Sequence, residues 1–256
     1  MNRLKDKVIL ISGGTAGIGL ACAQSYAKAG AQVVFIGLDQ VSVAATAELL
    51  GAPHLGICAD FSQEDDVKAA VDHTIATFGR LDAIHNNAGL ASPSKPLHDT
   101  TEQEWTRLFD VNVKSILLTT RYGFPYLKAS RGCILNTSSL VAEIGQENHA
   151  AYAATKGAVN ALTKSMAIDY AALGIRVNSV MPAAVMTPML QQWVLEQPEP
   201  EQVFGFLKDI HLLGYCPEGD VIADVCMFLL SDSARFITGV NLPVSGGAEL
   251  GYRRNS

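Results

Sequence analysis

Tyr152 and Lys156 stand four residues apart in an Ala-rich stretch, Ala150 to Ala172, whose apolar residues recur at helical spacing. That spacing stacks the two side chains on one helix face, with Cβ atoms roughly 5–6 Å apart. An ordinary tyrosine titrates near about 10, so a phenol acting as a base near neutral pH asks for about 4 kcal/mol of help. One ammonium at about 4 Å, in an effective dielectric of about 20, supplies about that much before desolvation is subtracted. Lys156 is therefore expected to make the Tyr152 phenol acidic. Upstream, Ser138 and Ser139 follow the apolar run Cys133-Ile134-Leu135, which has the length and composition of a strand. Either hydroxyl, at the carboxyl end of that strand, could hold a carbonyl or alcohol oxygen beside the phenol. Tyr-x-x-x-Lys alone is common as a surface pair, so its meaning depends on what surrounds it.

The surrounding elements alternate. Lys7 to Ser12 is a short apolar run bounded by charge and by glycine, as a strand buried on both faces should be. Gly13-Gly14-Thr15-Ala16-Gly17-Ile18-Gly19 follows, then helical sequence to about Ala29. Glycines between a strand and a helix let backbone N–H groups approach a pyrophosphate, whose charge the helix N-terminus favours. The pattern repeats: strands at Gln32 to Ile36, His54 to Cys58, Leu81 to His85 and Ile175 to Val180, helices at Val41 to Leu50, Glu64 to Phe78, about Thr101 to Leu127, and Val221 to Leu230. Gly239 to Val244 closes as the last strand. This order implies an α/β, Rossmann-like doubly wound parallel sheet of about seven strands with helices on both faces. Ligands of such sheets lie outside the carboxyl ends of the strands, where Ser12, Gly37, Asp60, Asn86 and Ser138 fall.

Three further features bear on a site. In Asn86-Asn87-Ala88-Gly89 the amides can tie strand ends together while Gly89 leaves room for a flat ligand. Asn112 interrupts a mostly apolar helical patch, which is unfavourable unless its amide faces a polar site. Residues 184–215 are irregular and fall beside the active end, as a lid would.

Composition bounds the partners. A chain of 256 residues supports one sizeable core, read as a single domain, 1–256. Hydrophobic content of 48% and charged content of 17% exclude disorder, and a formal charge of -6 argues against nucleic acid. Small-molecule partners remain. Five dispersed cysteines, with no Cys-x-x-Cys, read as reduced core residues of a cytoplasmic protein. No signal peptide or bilayer-length apolar run is seen, so no membrane partner is expected. His85, inside a strand, reads as a satisfied core residue, and spacing offers no metal cluster.

Together these residues resemble the short-chain dehydrogenase/reductase family across essentially the whole chain. The motifs Gly13-x-x-x-Gly17-Ile18-Gly19, Asn86-Asn87-Ala88-Gly89, Asn112, Ser139 and Tyr152-x-x-x-Lys156 recur in the family's order. The resemblance implies a bound nicotinamide dinucleotide and hydride transfer to or from an alcohol or carbonyl carbon. It implies Ser139 as partner of the substrate oxygen, Tyr152 as general base or acid, Lys156 also on the nicotinamide ribose, and Asn112 holding a proton-relaying water. Its cofactor contacts would be Gly13, Thr15, Gly17, Ile18, Gly19, Asp39, Asp60, Phe61, Asn87, Ala88, Gly89, Tyr152, Lys156, Pro182, Val185 and Thr187. Two departures stand out: Pro182-Ala183 where Pro-Gly is usual, and Val244-Ser245-Gly246-Gly247 where Val-Asp-Gly-Gly is common.

Cofactor and substrate choice follow from smaller signs. NAD-preferring members carry Asp at the end of the second strand, where this chain has Gly37, and NADP-preferring members often follow with Arg, here Leu38. Asp39 comes next, and no Lys or Arg lies between Gly37 and Glu48. A 2′-phosphate beside Asp39 would be repelled, which favours NAD and leaves NADP open. The segment Ser138 to Gln146 and the tail Gly246 to Tyr252 look like 17β-hydroxysteroid dehydrogenases of type 14. Pro182 to Pro188 followed by Trp193 is similar to bacterial L-fucose dehydrogenases. Gln146 and His149 near Tyr152, with Trp193 in the lid, tip the balance to a sugar such as L-fucose over a steroid. A non-enzymatic reading, a dinucleotide-sensing or assembly subunit, sits badly with an intact Ser139, Tyr152, Lys156 and Asn112. By family analogy and by the apolar helix faces around 101–127 and 150–172, a homotetramer is expected.

Overall fold

Apolar runs without polar alternation become strands covered on both sides. β1 (Val8–Ser12) and β4 (Ala83–Asn86) are buried at every residue. The computed structural model describes residues 3–91 and 93–251; Tyr252, at the end of the tail motif, lies outside the described residues. With β2 (Gln32–Gly37), β3 (Leu55–Cys58), β5 (Cys133–Thr137), β6 (Arg176–Pro182) and β7 (Asn241–Val244), these strands form one parallel sheet in the order β3-β2-β1-β4-β5-β6-β7. The chain winds outward from β1 to β3, then returns to lay β4 on the other side of β1. Strand order therefore reverses between β1 and β4, and that reversal opens a crevice at their carboxyl ends.

The helices cover two apolar faces. α1 (Gly17–Lys28) and α9 (Gly219–Leu230) pack along each other on one face, with α2 (Gln40–Leu50) beside them. Their core holds Ile9, Ile11, Val33, Phe35, Leu135 and Ile222. α3 (Glu64–Phe78), α5 (Ser115–Ser130) and α6 (Ala150–Ala171) cover the other face over Leu10, Val34, Ile84, Ile134 and Val177. Alternate strand residues thus feed opposite cores, so a polar residue such as His85 is committed to one of them.

Three expectations are corrected here. The helical run about Thr101 to Leu127 is not continuous: α4 (Glu102–Phe109) passes through a π-helical turn, Asp110–Lys114, into α5. The irregular reading of 184–215 also gives way, because α7 (Pro188–Leu195) and α8 (Pro200–Asp209) form there, each with proline in its first turn, where the missing N–H costs nothing. Of the cysteines, Cys22, Cys133 and Cys226 are buried, whereas Cys58 is exposed rather than core. Among the described residues no helix is long and apolar enough to cross a membrane.

Candidate active site

The crevice begins with the glycine loop between β1 and α1. A Cβ on Gly19 would lie 1.9 Å from the Gly13 carbonyl oxygen and 2.5 Å from Asn87 Nδ2, so only glycine lets the loop close on the strand. Asn87 fastens it, donating to the Ser12 and Gly13 carbonyls at 3.1 and 3.2 Å. The Ser12 hydroxyl in turn accepts the backbone N–H groups of Asn87 and Ala88, both at 3.0 Å. α1 itself starts at Ala16 with no side-chain cap and no acidic residue in its first turn. Its leading N–H groups and dipole are left for an anion, as a dinucleotide pyrophosphate requires. By contrast α2 is capped by its own Asp39, and α3 carries Glu64, Asp65 and Asp66 in its first turn.

The catalytic candidates meet further along, where β5 ends. Ser139 is half-buried and its hydroxyl interacts with the Tyr152 phenol. Ser138 is turned the other way: it is buried and donates to the Lys156 carbonyl at 3.2 Å. Geometry thus separates two neighbours that the residue types left equal. Lys156 is buried, donates Nζ to the Thr137 carbonyl at 2.8 Å, and lies 5.7 Å from the Tyr152 ring centroid. The expected acidic phenol is not found: burial pushes Tyr152 up, with the Ser139 hydrogen bond as the counterweight. Burial also brings the Lys156 ammonium down to about 8. One of the three ammonium protons goes to Thr137, and desolvation works against the charged form of both residues.

Asn112 sits in the π-helical turn and is buried. Its Oδ1 accepts from Leu90 N–H at 2.8 Å, and its Nδ2 donates to the Leu90 carbonyl and to Thr155 Oγ1, both at 2.9 Å. Both amide protons are used, so the side chain splints the segment after Gly89 rather than facing an open site. A Cβ on exposed Gly89 would meet Asn112 Oδ1 at 3.3 Å and Lys156 Nζ at 3.4 Å. The missing side chain keeps the approach to Asn112 Oδ1 and Lys156 Nζ open at this point of the crevice.

Other candidates are placed less centrally. Thr187 caps α7 and lies against Gly17, while Val185 and Pro182 are buried at the end of β6 and just beyond it. Asp39 binds Ser42 through both its N–H, at 2.8 Å, and its hydroxyl. A Cβ on Gly37 would come within 2.6 Å of the Thr15 methyl, which explains why no carboxylate grows from that position. Asp60 accepts from Ser62 N–H and Oγ at 2.9 and 2.7 Å and faces Arg107 at 3.4 Å; burial raises its carboxyl, but those partners outweigh it and hold it low. The Phe61 side chain is buried in the α3 core. His149 is half-buried, its ring edge-on to Tyr152 at 6.3 Å, with Nδ1 donating to the Glu147 carbonyl at 2.8 Å. Gln146 and Trp193 are exposed. The sequence singles out Ser12 only as a strand end and carries no sign of Thr137 or Thr155, whose roles run through a carbonyl and a hydroxyl that only the folded register brings to their partners.

Comparison with known proteins decides the family. A family model described as enoyl-(acyl carrier protein) reductase matches residues 13–249. L-fucose dehydrogenase of Bos taurus is 37% identical over 254 residues, covering 99% of this chain and 93% of that protein. The chain belongs to the short-chain dehydrogenase/reductase family. Cyclopentanol dehydrogenase of Comamonas testosteroni, 40% identical over 252 residues, covers 96% of this dehydrogenase/reductase and 98% of its own length. The crystal structure of 3-ketoacyl-(acyl-carrier-protein) reductase from Brucella melitensis complexed with NADH superposes with a TM-score of 0.88 at 35% identity, covering 96% of this chain and 99% of that one. This short-chain dehydrogenase/reductase is therefore an oxidoreductase that works with a nicotinamide dinucleotide on a small molecule.

Proposed function

We propose that the enzyme oxidises a ring secondary alcohol or hemiacetal, with L-fucose or a related sugar as substrate and NAD as cofactor. The observation that carries the chemistry is the pairing of Ser139 with Tyr152 beside the opening at Gly89. Gly13, Thr15, Gly17, Ile18, Gly19, Asn87, Ala88, Thr187 and Lys156 would hold the dinucleotide, which supplies the hydride acceptor or donor. In oxidation the Tyr152 oxygen takes the substrate hydroxyl proton while the Ser139 hydroxyl donates to the same substrate oxygen and fixes its position. In reduction the Tyr152 phenol returns the proton. Because desolvation holds the phenol neutral, Tyr152 must give up its own proton before it can act as a base; Ser139, donating to the phenol oxygen until substrate arrives, and the Lys156 charge lower the cost of that loss.

For the sugar, His149 spends Nδ1–H on a carbonyl, which leaves Nε2 as an acceptor for a substrate hydroxyl. L-fucose dehydrogenases of Bos taurus and Oryctolagus cuniculus, at 37% and 39% identity, support the same substrate class. A second reading, an apolar alcohol, is favoured by Met189, Trp193 and Phe206, which stay exposed on the lid helices α7 and α8. For the cofactor, the Asp39 carboxylate at the start of α2, with no Lys or Arg between Gly37 and Glu48, disfavours a 2′-phosphate. Unpaired cysteines fit a reducing cytoplasm. Exposed Leu117 on α5 and Ile168 on α6 fit a homotetramer.

Turnover of L-fucose, other aldoses, cyclopentanol and estradiol, followed by NADH absorbance with NAD or NADP, tests the reading. Activity on aldoses with at least about tenfold higher kcat/KM for NAD supports it; activity confined to the steroid or to NADP overturns the corresponding part. Tyr152→Phe is expected to retain NADH binding and lose about 10²–10⁴-fold in kcat.

A further inference from the structure

Away from the crevice, the core between α1, β4 and α9 holds a group of donors that the proposed reaction does not use. Cys22 and Tyr26 share one face of α1, His85 comes from β4, and Cys226 from α9; all four are 0% exposed. The rest of this core is apolar, mostly aliphatic. The ligand atoms of Cys22, His85 and Cys226 all lie within 4.8 Å of one another. Tyr26 Oη joins them, 2.9 Å from His85 Nδ1.

The orientation of the imidazole can be read from its partners. Thr137 Oγ1 donates its proton to Asn87 Oδ1 at 3.3 Å, so toward His85 Nε2, 2.9 Å away, it can only accept. Nε2 therefore carries the ring proton, and Nδ1 turns its lone pair into the cluster. This is the arrangement of a metal-binding histidine, whose outer N–H is held by an oxygen that fixes the tautomer.

We propose that Cys22, Cys226 and His85 Nδ1, with Tyr26 Oη as fourth donor, form a buried binding site for a divalent, borderline-soft metal ion of the Zn²⁺ type. Two sulfurs, one nitrogen and one oxygen suit tetrahedral Zn²⁺, in which Zn–S bonds of about 2.3 Å place ligand sulfurs about 3.8 Å apart. From separations within 4.8 Å, the two sulfurs and the His85 nitrogen need to close by little more than about 1 Å. Binding displaces the two thiol protons, so two thiolates balance the dication and no net charge is added to an apolar core. A monovalent soft ion would leave the site with an excess negative charge, which argues for the divalent class. With no donor open to solvent, the ion enters while the chain folds or during local opening.

The test uses the full-length protein produced in medium supplemented with zinc or with cobalt, treated with chelator to strip surface metal, and desalted. One zinc retained per chain, and a thiolate-to-cobalt charge-transfer band in the cobalt preparation, support the site. Cys22→Ala and Cys226→Ala are each expected to lower retained metal by at least about tenfold. Cys58→Ser, at an exposed cysteine outside the cluster, should leave it unchanged. Circular dichroism and NADH binding report whether the variants fold; if they do not, the wild-type cobalt band alone decides. Metal-free wild-type protein with no band, a band that survives in Cys22→Ala, or a mass lowered by two hydrogens from a Cys22–Cys226 disulfide would each overturn the proposal.

Discussion

Lys156 shows how a catalytic candidate works against the fold that holds it. Burial brings its ammonium to about 8 from an ordinary 10.5, so the folded protein releases this proton before the unfolded chain does. Between those values the unfolded state binds more protons, and stability must rise with pH. Lys156→Met lacks the term. The wild type is therefore expected to gain about 2 kcal/mol relative to Lys156→Met between pH 7 and pH 10, read by urea unfolding. Parallel pH profiles would show that the lysine is not desolvated. The two serines give a second contrast. Ser139→Ala removes the hydroxyl beside Tyr152 and should lower kcat by about 10²-fold or more with stability nearly unchanged. Ser138→Ala removes only the bond to the Lys156 carbonyl and should cost about 1 kcal/mol of stability while sparing most turnover.

At the scale of elements, the π-helical turn between α4 and α5 is held by one side chain, Asn112, which binds both backbone groups of Leu90. Asn112→Ala leaves those groups and Thr155 without this partner, and is expected to cost roughly 2–4 kcal/mol. Urea unfolding checks it; a cost below about 1 kcal/mol would mean that the turn is kept by the backbone alone. Asn112 was legible as a misfit in a helical patch, but its partner was not, since Leu90 lies 22 residues upstream and its N–H and C=O carry no signature in residue type. The strands and the glycine loop were legible because unbroken apolar runs and strand-glycine-helix order report local physics. The lid helices were not. Pro188 and Pro200 begin these helices, and Val194 and Leu207 are their buried residues, while Met189, Leu195 and Phe206 stay exposed and blur the period. Likewise Cys22, His85 and Cys226 sit on three separate elements, so no spacing rule brings them together.

For the whole molecule, two groups of exposed apolar residues lie away from the lid helices. Leu117 and Ile168, 54% and 79% exposed, lie on α5 and α6, on one side of the sheet; Leu213, Tyr215 and fully exposed Phe236 lie in the segments flanking α9, toward β7. Isolated exposed leucines are ordinary, but two sets on different faces are what a tetramer with two kinds of two-fold interface would cover. Each interface of that kind is self-complementary, so a single new charge is repeated across the axis and faces its own copy. Light scattering of the purified protein is expected to give a tetramer. Ile168→Asp should open the α5–α6 contact and Phe236→Asp the other, each leaving dimers, and the double variant should give monomers. The variants separate assembly from folding: circular dichroism should be unchanged in each, because neither side chain enters a core. A native monomer would remove the need for both faces, and a tetramer indifferent to both charges would place the interfaces elsewhere.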